Sequence, residues 1–218
     1  MSDQLLPSTF LFRFSAPCLY CPAPWGKEGA ALGEEFRLPS LTTLDGGPEG
    51  PDVRAAWHES GLAVSVRVTG KRQPPWCRDN RIDESDGLRL WIDTRDTHNI
   101  HRAGRFCHWF VLLPTGGGHR LNEPLAAMLP INRARELPRP VRTETIRIQS
   151  RKLPDGYQLD AFIPSTALTG FDPVEHPRLG FMYAVVDREL GNRTWCSSPE
   201  FPYSEDPSLW ATLELVKG

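Results

Sequence analysis

Acidic side chains surround one short segment, residues 83–110, which reads DESDGLRLWIDTRDTHNIHRAGRFCHWF. The acids that could hold a metal ion precede and follow its alternating centre: Asp83, Glu84, Asp86, Asp93 and Asp96. Such oxygen-rich groups suit calcium, which takes about six to eight oxygen ligands in a loose geometry. One interpretation is therefore that these acids bind a structural calcium ion. Because the spacing of an EF-hand is absent, a solvated strand end is the alternative.

Three histidines in the same segment raise the question of zinc. His98, His101 and His108 lie near Asp93 in the sequence. Zinc requires three or four ligands that converge tetrahedrally, with each imidazole fixed by a further acceptor. On a strand, His108 would share a face with Phe110, which predicts a core histidine whose nitrogens are satisfied. We expect the other two to be polar loop residues, and zinc binding is the less favoured alternative.

A proline-rich loop carries the chemistry of sugar recognition. Trp76 lies in PPWCRDN and is followed by polar side chains that could meet hydroxyl groups: Arg78, Asp79 and Asn80. The C–H face of a pyranose ring is apolar and stacks on an aromatic face, while its hydroxyl groups need forked donors and acceptors. Trp195, in GNRTWCSSP, could line the same groove. The alternative is that Trp76 only closes one end of the fold.

Alternation of apolar and polar residues predicts the elements that position these side chains. The stretches with this pattern are 62–68, 88–92 and 142–150. Residues 106–113 are apolar on both faces, which predicts a central strand, and further strands are expected at 9–14, 53–57, 157–163, 179–186 and 209–216. LPDG at 153–156 predicts a turn and therefore a hairpin. We expect single helical turns at 124–129 and 164–168, and a long surface excursion over 114–140. The pattern predicts an all-β chain, one domain over 1–218, with two antiparallel sheets packed as a β-sandwich of the jelly-roll kind.

Composition excludes several functional classes. The formal net charge is −2 and the isoelectric point about 6.3, so we expect neither nucleic acid nor an anionic membrane surface as a partner. Signal-peptide features and long apolar runs are missing, which predicts a soluble, cytoplasmic protein unless the chain is a fragment of a larger exported one. The single CxxC of Cys18 and Cys21 lacks a second pair. GxSxG, Walker A and HExxH motifs are absent, so we expect no enzyme activity.

A succession of blocks along most of the chain resembles a known family. The blocks are AAWHESGLAVSVRVTG, DESDGLRLWIDTRD, GYQLDAFIPSTAL, LGFMYAVVDRE and SEDPSLWATLELVK. In this order they resemble the family 9 carbohydrate-binding module, within the wider group of DOMON-like β-sandwiches. The resemblance implies a β-sandwich that binds saccharide ends and can hold structural calcium.

The resemblance also implies the residues of a binding site. The family clamps its sugar between two aromatic rings, which match Trp76 and Tyr203 here. Asp187 matches an acid that recurs at the end of a late strand and could bind a saccharide hydroxyl. DOMON-like relatives include haem proteins with Met and His ligands, for which Met182 is the methionine to test.

These observations predict a non-catalytic module that binds a small saccharide or a polysaccharide chain end by stacking and hydrogen bonds. One alternative is a β-sandwich without sugar binding, which would contact a protein partner through residues 114–140. A haem- or metal-binding DOMON-like domain is the other alternative.

Overall fold

The computed structural model describes residues 14–40, 50–197 and 200–217, and this part of the chain is all-β. Its strands are β1 (Ser15–Tyr20), β2 (Asp52–His58), β3 (Gly61–Val68), β4 (Gly87–Asp93), β5 (Cys107–Gly117), β6 (Glu123–Leu129), β7 (Arg147–Leu153), β8 (Gly156–Pro164), β9 (Arg178–Val186), β10 (Arg193–Thr194) and β11 (Ala211–Val216). The helical elements are short 3₁₀ turns: Glu34–Phe36, Asp79–Glu84, Thr143–Thr145, Ser165–Ala167 and Pro207–Leu209. The all-β prediction is therefore confirmed.

Hydrogen bonding joins the strands into one ladder in the order β6-β5-β4-β9-β11-β1-β2-β3-β8-β7, and β10 pairs with β9. Neighbours are antiparallel except around β1, which pairs parallel with both β11 and β2. The two terminal strands of the ladder, β6 and β7, approach each other, so the sheet is nearly closed. The expected division into two separate sheets is not visible in this ladder.

The interior of the nearly closed sheet is filled by one face of almost every strand. Leu88, Leu90 and Ile92 of β4 are fully buried against Val64 and Val66 of β3 within one hydrophobic cluster. Their alternation in the sequence is the reason: successive side chains of a strand point to opposite faces, so a period of two loads one face with apolar groups. Burial of each such side chain contributes about 1.5–3 kcal/mol.

Two local predictions are confirmed. Strands β7 and β8 form a hairpin whose closing pair is Leu153 and Gly156. The two residues between them, Pro154 and Asp155, are typical turn residues. The predicted central strand is β5, which is flanked by β4 and β6.

Other local predictions are wrong. Residues 124–129 lie in strand β6, because the free edge of β5 offers hydrogen-bond partners along Trp109–Leu113 that a six-residue helix could not match. The surface excursion is consequently shorter than 114–140, since β5 runs to Gly117. Strand β1 was not predicted, and most of the strand expected at 9–14 lies outside the described residues.

Strand β4 is buried on both faces, which is unusual for an antiparallel strand. Its inner face packs into the core, and its outer face is covered by the 79–84 turn and by the segment that carries Tyr203. The outer face of β4 and β5 is therefore enclosed by irregular segments and not by a second layer of strands. Within the described residues, none of the helical turns has the length and apolar character needed to cross a bilayer.

Candidate ligand-binding site

Three aromatic rings meet on the outer face of β4 and β5. Trp91 of β4 lies directly opposite Trp109 of β5, and their rings stack with centroids 5.8 Å apart and planes 7° apart. Tyr203 meets Trp91 edge-on, with a centroid distance of 5.3 Å. Trp91 is buried, whereas Trp109 and Tyr203 are half-buried. The cluster can therefore be reached from solvent on the side of Trp109 and Tyr203.

A buried arginine lies beside these rings. Arg89 is two residues before Trp91 on the same face and is only 2% exposed. Its Nη2 donates to the carbonyl oxygens of Ile82, at 3.1 Å, and Ser85, which anchors the 79–84 turn over the strand. Burial lowers the pKa of Arg89 to about 10, so the guanidinium is still charged at neutral pH. In the described part of the chain no carboxylate forms an ion pair with it.

Three buried N–H donors of this face have no acceptor among the described residues. They are Nη1 of Arg89, Nε1 of Trp91 and Nε1 of Trp109. Such groups are rare, because a buried donor without a partner loses the hydrogen bonds it made to water. The other buried indoles behave as expected: Trp57 donates to Val216 O at 3.0 Å. Donors without acceptors are thus concentrated on one face.

Trp76 lies beside Asp86, the residue before β4, and arginine side chains contact its ring. Its N–H donates to Asp86 Oδ2 at 2.9 Å, and its carbonyl accepts from Asp86 N at 2.8 Å. The Arg188 guanidinium carbon is 3.3 Å from the centroid of the Trp76 ring, and that of Arg78 is 5.5 Å away. This is a cation–π contact. The exposed residues Arg78, Asp79 and Asn80 begin the neighbouring turn.

The two rings expected to form a clamp have different neighbours. Trp76 is tied to Asp86, and Tyr203 packs on Trp91, five residues further along; at about 3.3 Å per residue these anchors are about 16 Å apart. Arg89 lies between them. The anchors of the two rings are therefore separated along the strand, and the clamping of one sugar between Trp76 and Tyr203 stays a prediction.

Trp195 is in the core and not on the groove. It is 2% exposed, and its Nε1 donates to Pro39 O at 3.0 Å. Its ring packs against Phe181 and Tyr183 at centroid distances of 5.5 and 5.8 Å. The sequence did not place Trp195 in the core, because its burial depends on packing against Phe181 and Tyr183 of another segment.

A cluster of buried charged side chains lies next to Trp76. Lys71 Nζ forms an ion pair with Asp187 and lies 3.5 Å from Asp86 Oδ2, and all three side chains are at most 2% exposed. The second oxygen of Asp187 accepts from the backbone N–H groups of Glu189 and Leu190, each at 2.9 Å. Both oxygens of Asp187 therefore already have partners within the protein.

The carboxylates at the other end of β4 also accept hydrogen bonds from groups of the protein. Asp93 accepts from the backbone N–H groups of Arg95, at 3.0 Å, and Thr97, at 2.8 Å. Burial raises the pKa of Asp93. Asp96 accepts from the Thr212 hydroxyl at 2.8 Å.

The five acids predicted as calcium ligands do not converge: Asp83, Glu84, Asp86, Asp93 and Asp96. Among the residues that the structure describes, no three His, Cys, Asp or Glu side chains are arranged to hold a metal ion. At Asp86 the positive charge comes from the Lys71 ammonium group, and Glu84 pairs with Arg81 on the surface. The arrangement therefore does not fit the expected calcium site.

The histidines are explained without zinc. His108 is buried; its Nε2 accepts from Thr169 N at 2.8 Å and its Nδ1 lies 3.3 Å from Ile92 O. Burial lowers its pKa to about 4, so the ring is neutral. The prediction of a satisfied core histidine is confirmed.

A serine, a histidine and an aspartate do meet on the surface, but not as a catalytic triad. Both Asp206 Oδ2 and Ser208 Oγ lie 3.1 Å from Nδ1 of His101. In a triad the serine and the acid contact different ring nitrogens. Met182, the methionine considered for haem, is fully buried with its sulfur 3.1 Å from Cys196 Sγ. Neither arrangement therefore supports an enzymatic or haem-binding role.

No family model matches the sequence, and no curated protein matches it. Several solved structures are similar. A family 9 carbohydrate-binding module from Caldicellulosiruptor kristjanssonii in complex with cellotriose shares 13% identity, with 94% of this chain and 95% of that chain covered and a TM-score of 0.58. A family 9 carbohydrate-binding module from the same organism in complex with glucose shares 13% identity, with 94% of this chain and 97% of that chain covered and a TM-score of 0.58.

A proposed carbohydrate-binding protein from Bacteroides uniformis shares 16% identity, with 93% of this chain and 98% of that chain covered and a TM-score of 0.52. At these identities the likeness concerns the fold. This chain therefore has the fold of family 9 carbohydrate-binding modules.

Proposed function

We propose that the protein is a non-catalytic carbohydrate-binding domain whose ligand lies on the outer face of β4 and β5. The observation that carries this proposal is the group of three buried donors without acceptors on Arg89, Trp91 and Trp109. Hydroxyl and ring oxygens of a saccharide are acceptors of the kind these donors require. The similar structures from Caldicellulosiruptor kristjanssonii, which hold cellotriose and glucose, support this ligand class.

The aromatic rings supply the second half of the interaction. Tyr203 and Trp109 are half-buried, so they can offer aromatic surface to the C–H face of a pyranose. Trp76 and Arg188 lie beyond the first residue of β4, and the anchor of Trp76 is about 16 Å along the strand from that of Tyr203. This separation favours a ligand of two or more sugar units, such as the end of a polysaccharide chain, over one ring held between Trp76 and Tyr203. A sugar stacking on the covered face of Trp76 would displace Arg188.

Binding of this kind proceeds by stacking and hydrogen bonding alone. We expect dissociation constants in the micromolar range, because every sugar hydroxyl must lose water before it bonds to the protein. Because the three N–H groups are buried, we expect ligand binding to require the segment that carries Tyr203 to open. The Arg89 guanidinium stays in place because the 79–84 turn holds its second nitrogen.

Isothermal titration calorimetry with glucose, cellobiose and cellotriose tests the proposal. Trp109→Phe and Trp91→Phe each remove one N–H donor and keep an aromatic ring, so each should weaken binding about fivefold, the effect of one neutral hydrogen bond of about 1 kcal/mol. Trp195→Phe is the matched control: it breaks the bond to Pro39 in the core and should leave affinity unchanged. Cellotriose should bind more tightly than glucose.

Absence of heat with every sugar would contradict the proposal. Equal losses in Trp109→Phe and Trp195→Phe would also contradict it, since that pattern would reflect altered stability and not a lost contact. The first result would favour the alternative of an interaction domain that contacts a protein partner through residues 114–140.

A further inference from the structure

A small cavity at one end of the nearly closed sheet is separate from the face proposed for saccharide binding. It has a volume of about 320 Å³ and lies between the 71–75 loop, the end of β5 and the β7–β8 hairpin. Four prolines form much of its wall: Pro74, Pro75, Pro114 and Pro154. A volume near 300 Å³ is at the lower end of known ligand pockets and suits a compound with a single ring.

Tyr157 lines this cavity and has an unsatisfied hydroxyl group. The residue is 2% exposed, and its oxygen has no hydrogen-bond partner among the described residues. Burial raises the pKa of Tyr157 well above its usual value, so the group is a protonated donor at neutral pH. The burial of Tyr157 follows from its position within the sheet, where it pairs across strands with Val68 and Lys152.

Two cationic side chains also line the cavity without an acidic partner. In the described part of the chain, neither Arg72 nor Lys152 forms an ion pair, and both residues are exposed. Two acids on the adjoining segments accept hydrogen bonds from backbone groups: Glu189 accepts from the N–H groups of Arg72 and Gln73, and Asp155 accepts from Gly70 N. Lys71 also lines the cavity, but its charge is neutralised by buried aspartates.

We propose that this cavity binds a single-ring ligand that carries an oxyanion, with the ring against the prolines, the anion between Arg72 and Lys152, and one oxygen displacing the wall of the cavity to reach the buried Tyr157 hydroxyl. Apolar walls, one buried donor and two charges at the mouth are the features that such a ligand requires together. A carboxylate on a sugar and a phosphate on a sugar share this chemistry. The inference does not depend on the proposed saccharide site, because it uses none of the residues of that face.

The test is calorimetric titration with glucuronate, glucose 6-phosphate, glucose and inorganic phosphate. Arg72→Gln and Lys152→Gln should each weaken binding of the acidic sugars about tenfold, and Tyr157→Phe should weaken it severalfold. Arg151→Gln is the matched control. Arg151 precedes Lys152 on β7, its side chain points to the opposite face, and it does not line the cavity, so its variant should bind normally.

Glucuronate and glucose 6-phosphate distinguish a site for carboxylates from a site for phosphates. Binding of glucuronate alone assigns the site to carboxylates, and binding of glucose 6-phosphate alone assigns it to phosphates. Absence of binding by both would overturn the proposal, as would equal affinity for neutral glucose, equal affinity for inorganic phosphate, or unchanged binding in Tyr157→Phe. Excess cellotriose should not compete, which keeps this outcome distinct from that of the saccharide site.

Discussion

Replacement of Lys71 by methionine tests whether the buried charge cluster holds the loop before Trp76 in place. Methionine keeps most of the apolar stem but removes the ammonium group, and leaves Asp86 and Asp187 facing each other at about 1% exposure each. Removing one partner of a buried ion pair destabilises a protein by about 3–5 kcal/mol, because an uncompensated charge remains in a medium of low polarity. For a domain with a total stability of about 5–15 kcal/mol this is a large fraction.

The assay is urea or thermal unfolding followed by tryptophan fluorescence. At roughly 2–4 °C per kcal/mol for a chain of this size, Lys71→Met should lower the melting temperature by about 6–20 °C. Lys71→Met combined with Asp187→Asn should recover part of the loss, because the pair of like charges is then gone; the two changes should therefore be non-additive.

The matched control is Lys217→Met. Lys217 also pairs with an acid, Glu59, at 3.2 Å, but its side chain is 66% exposed. Exposed pairs contribute about 0–1 kcal/mol, since water and salt screen them. If Lys71→Met destabilises no more than Lys217→Met, the reasoning about the buried cluster is wrong.

Two further predictions concern stability. Burial lowers the pKa of His108 to about 4 in the folded protein, against 6.5 for the free side chain. The contribution of neutral His108 to the free energy of unfolding is therefore complete above pH 6.5, and up to about 3 kcal/mol is lost as the pH falls toward 4. Unfolding at pH 7 and pH 5 should show that His108→Gln lacks this slope and that His101→Gln keeps it; equal slopes in both variants would refute the assignment. Gly87 has φ of 151°, and an added Cβ would overlap the carbonyl oxygen of Leu112, whereas Gly70 has φ of 85° and open space. Gly87→Ala should therefore cost about 2 kcal/mol more than Gly70→Ala in urea unfolding, and equal costs would mean that β5 can shift away.

The local part of the fold was predictable because it depends on neighbours in the sequence. The period of two predicted β3 and β4, and LPDG predicted the turn of the β7–β8 hairpin. Strand β6 was missed because six residues carry too little periodicity to separate a strand from a helical turn. Its partner, the free edge of β5, is a tertiary feature.

The site was less predictable because it depends on which segments cover a strand. The sequence LRLWID shows that Arg89 and Trp91 share a face, but not that irregular segments bury that face. Trp195 was expected on a groove and lies in the core, since only packing distinguishes it from Trp91. The pairing of Lys71 with Asp187 joins residues that are distant in the chain, and no local pattern marks it.

The parallel pairing of β1 with β11 has a consequence for how the chain is made. Ser15 and Thr212 are neighbours in the ladder although they are roughly 200 positions apart, a separation that slows folding. During synthesis on a ribosome, β1 leaves the tunnel long before its partner exists. One edge of β1 therefore stays unsatisfied until β11 has been synthesised, and during that interval it is exposed to pairing with other nascent chains.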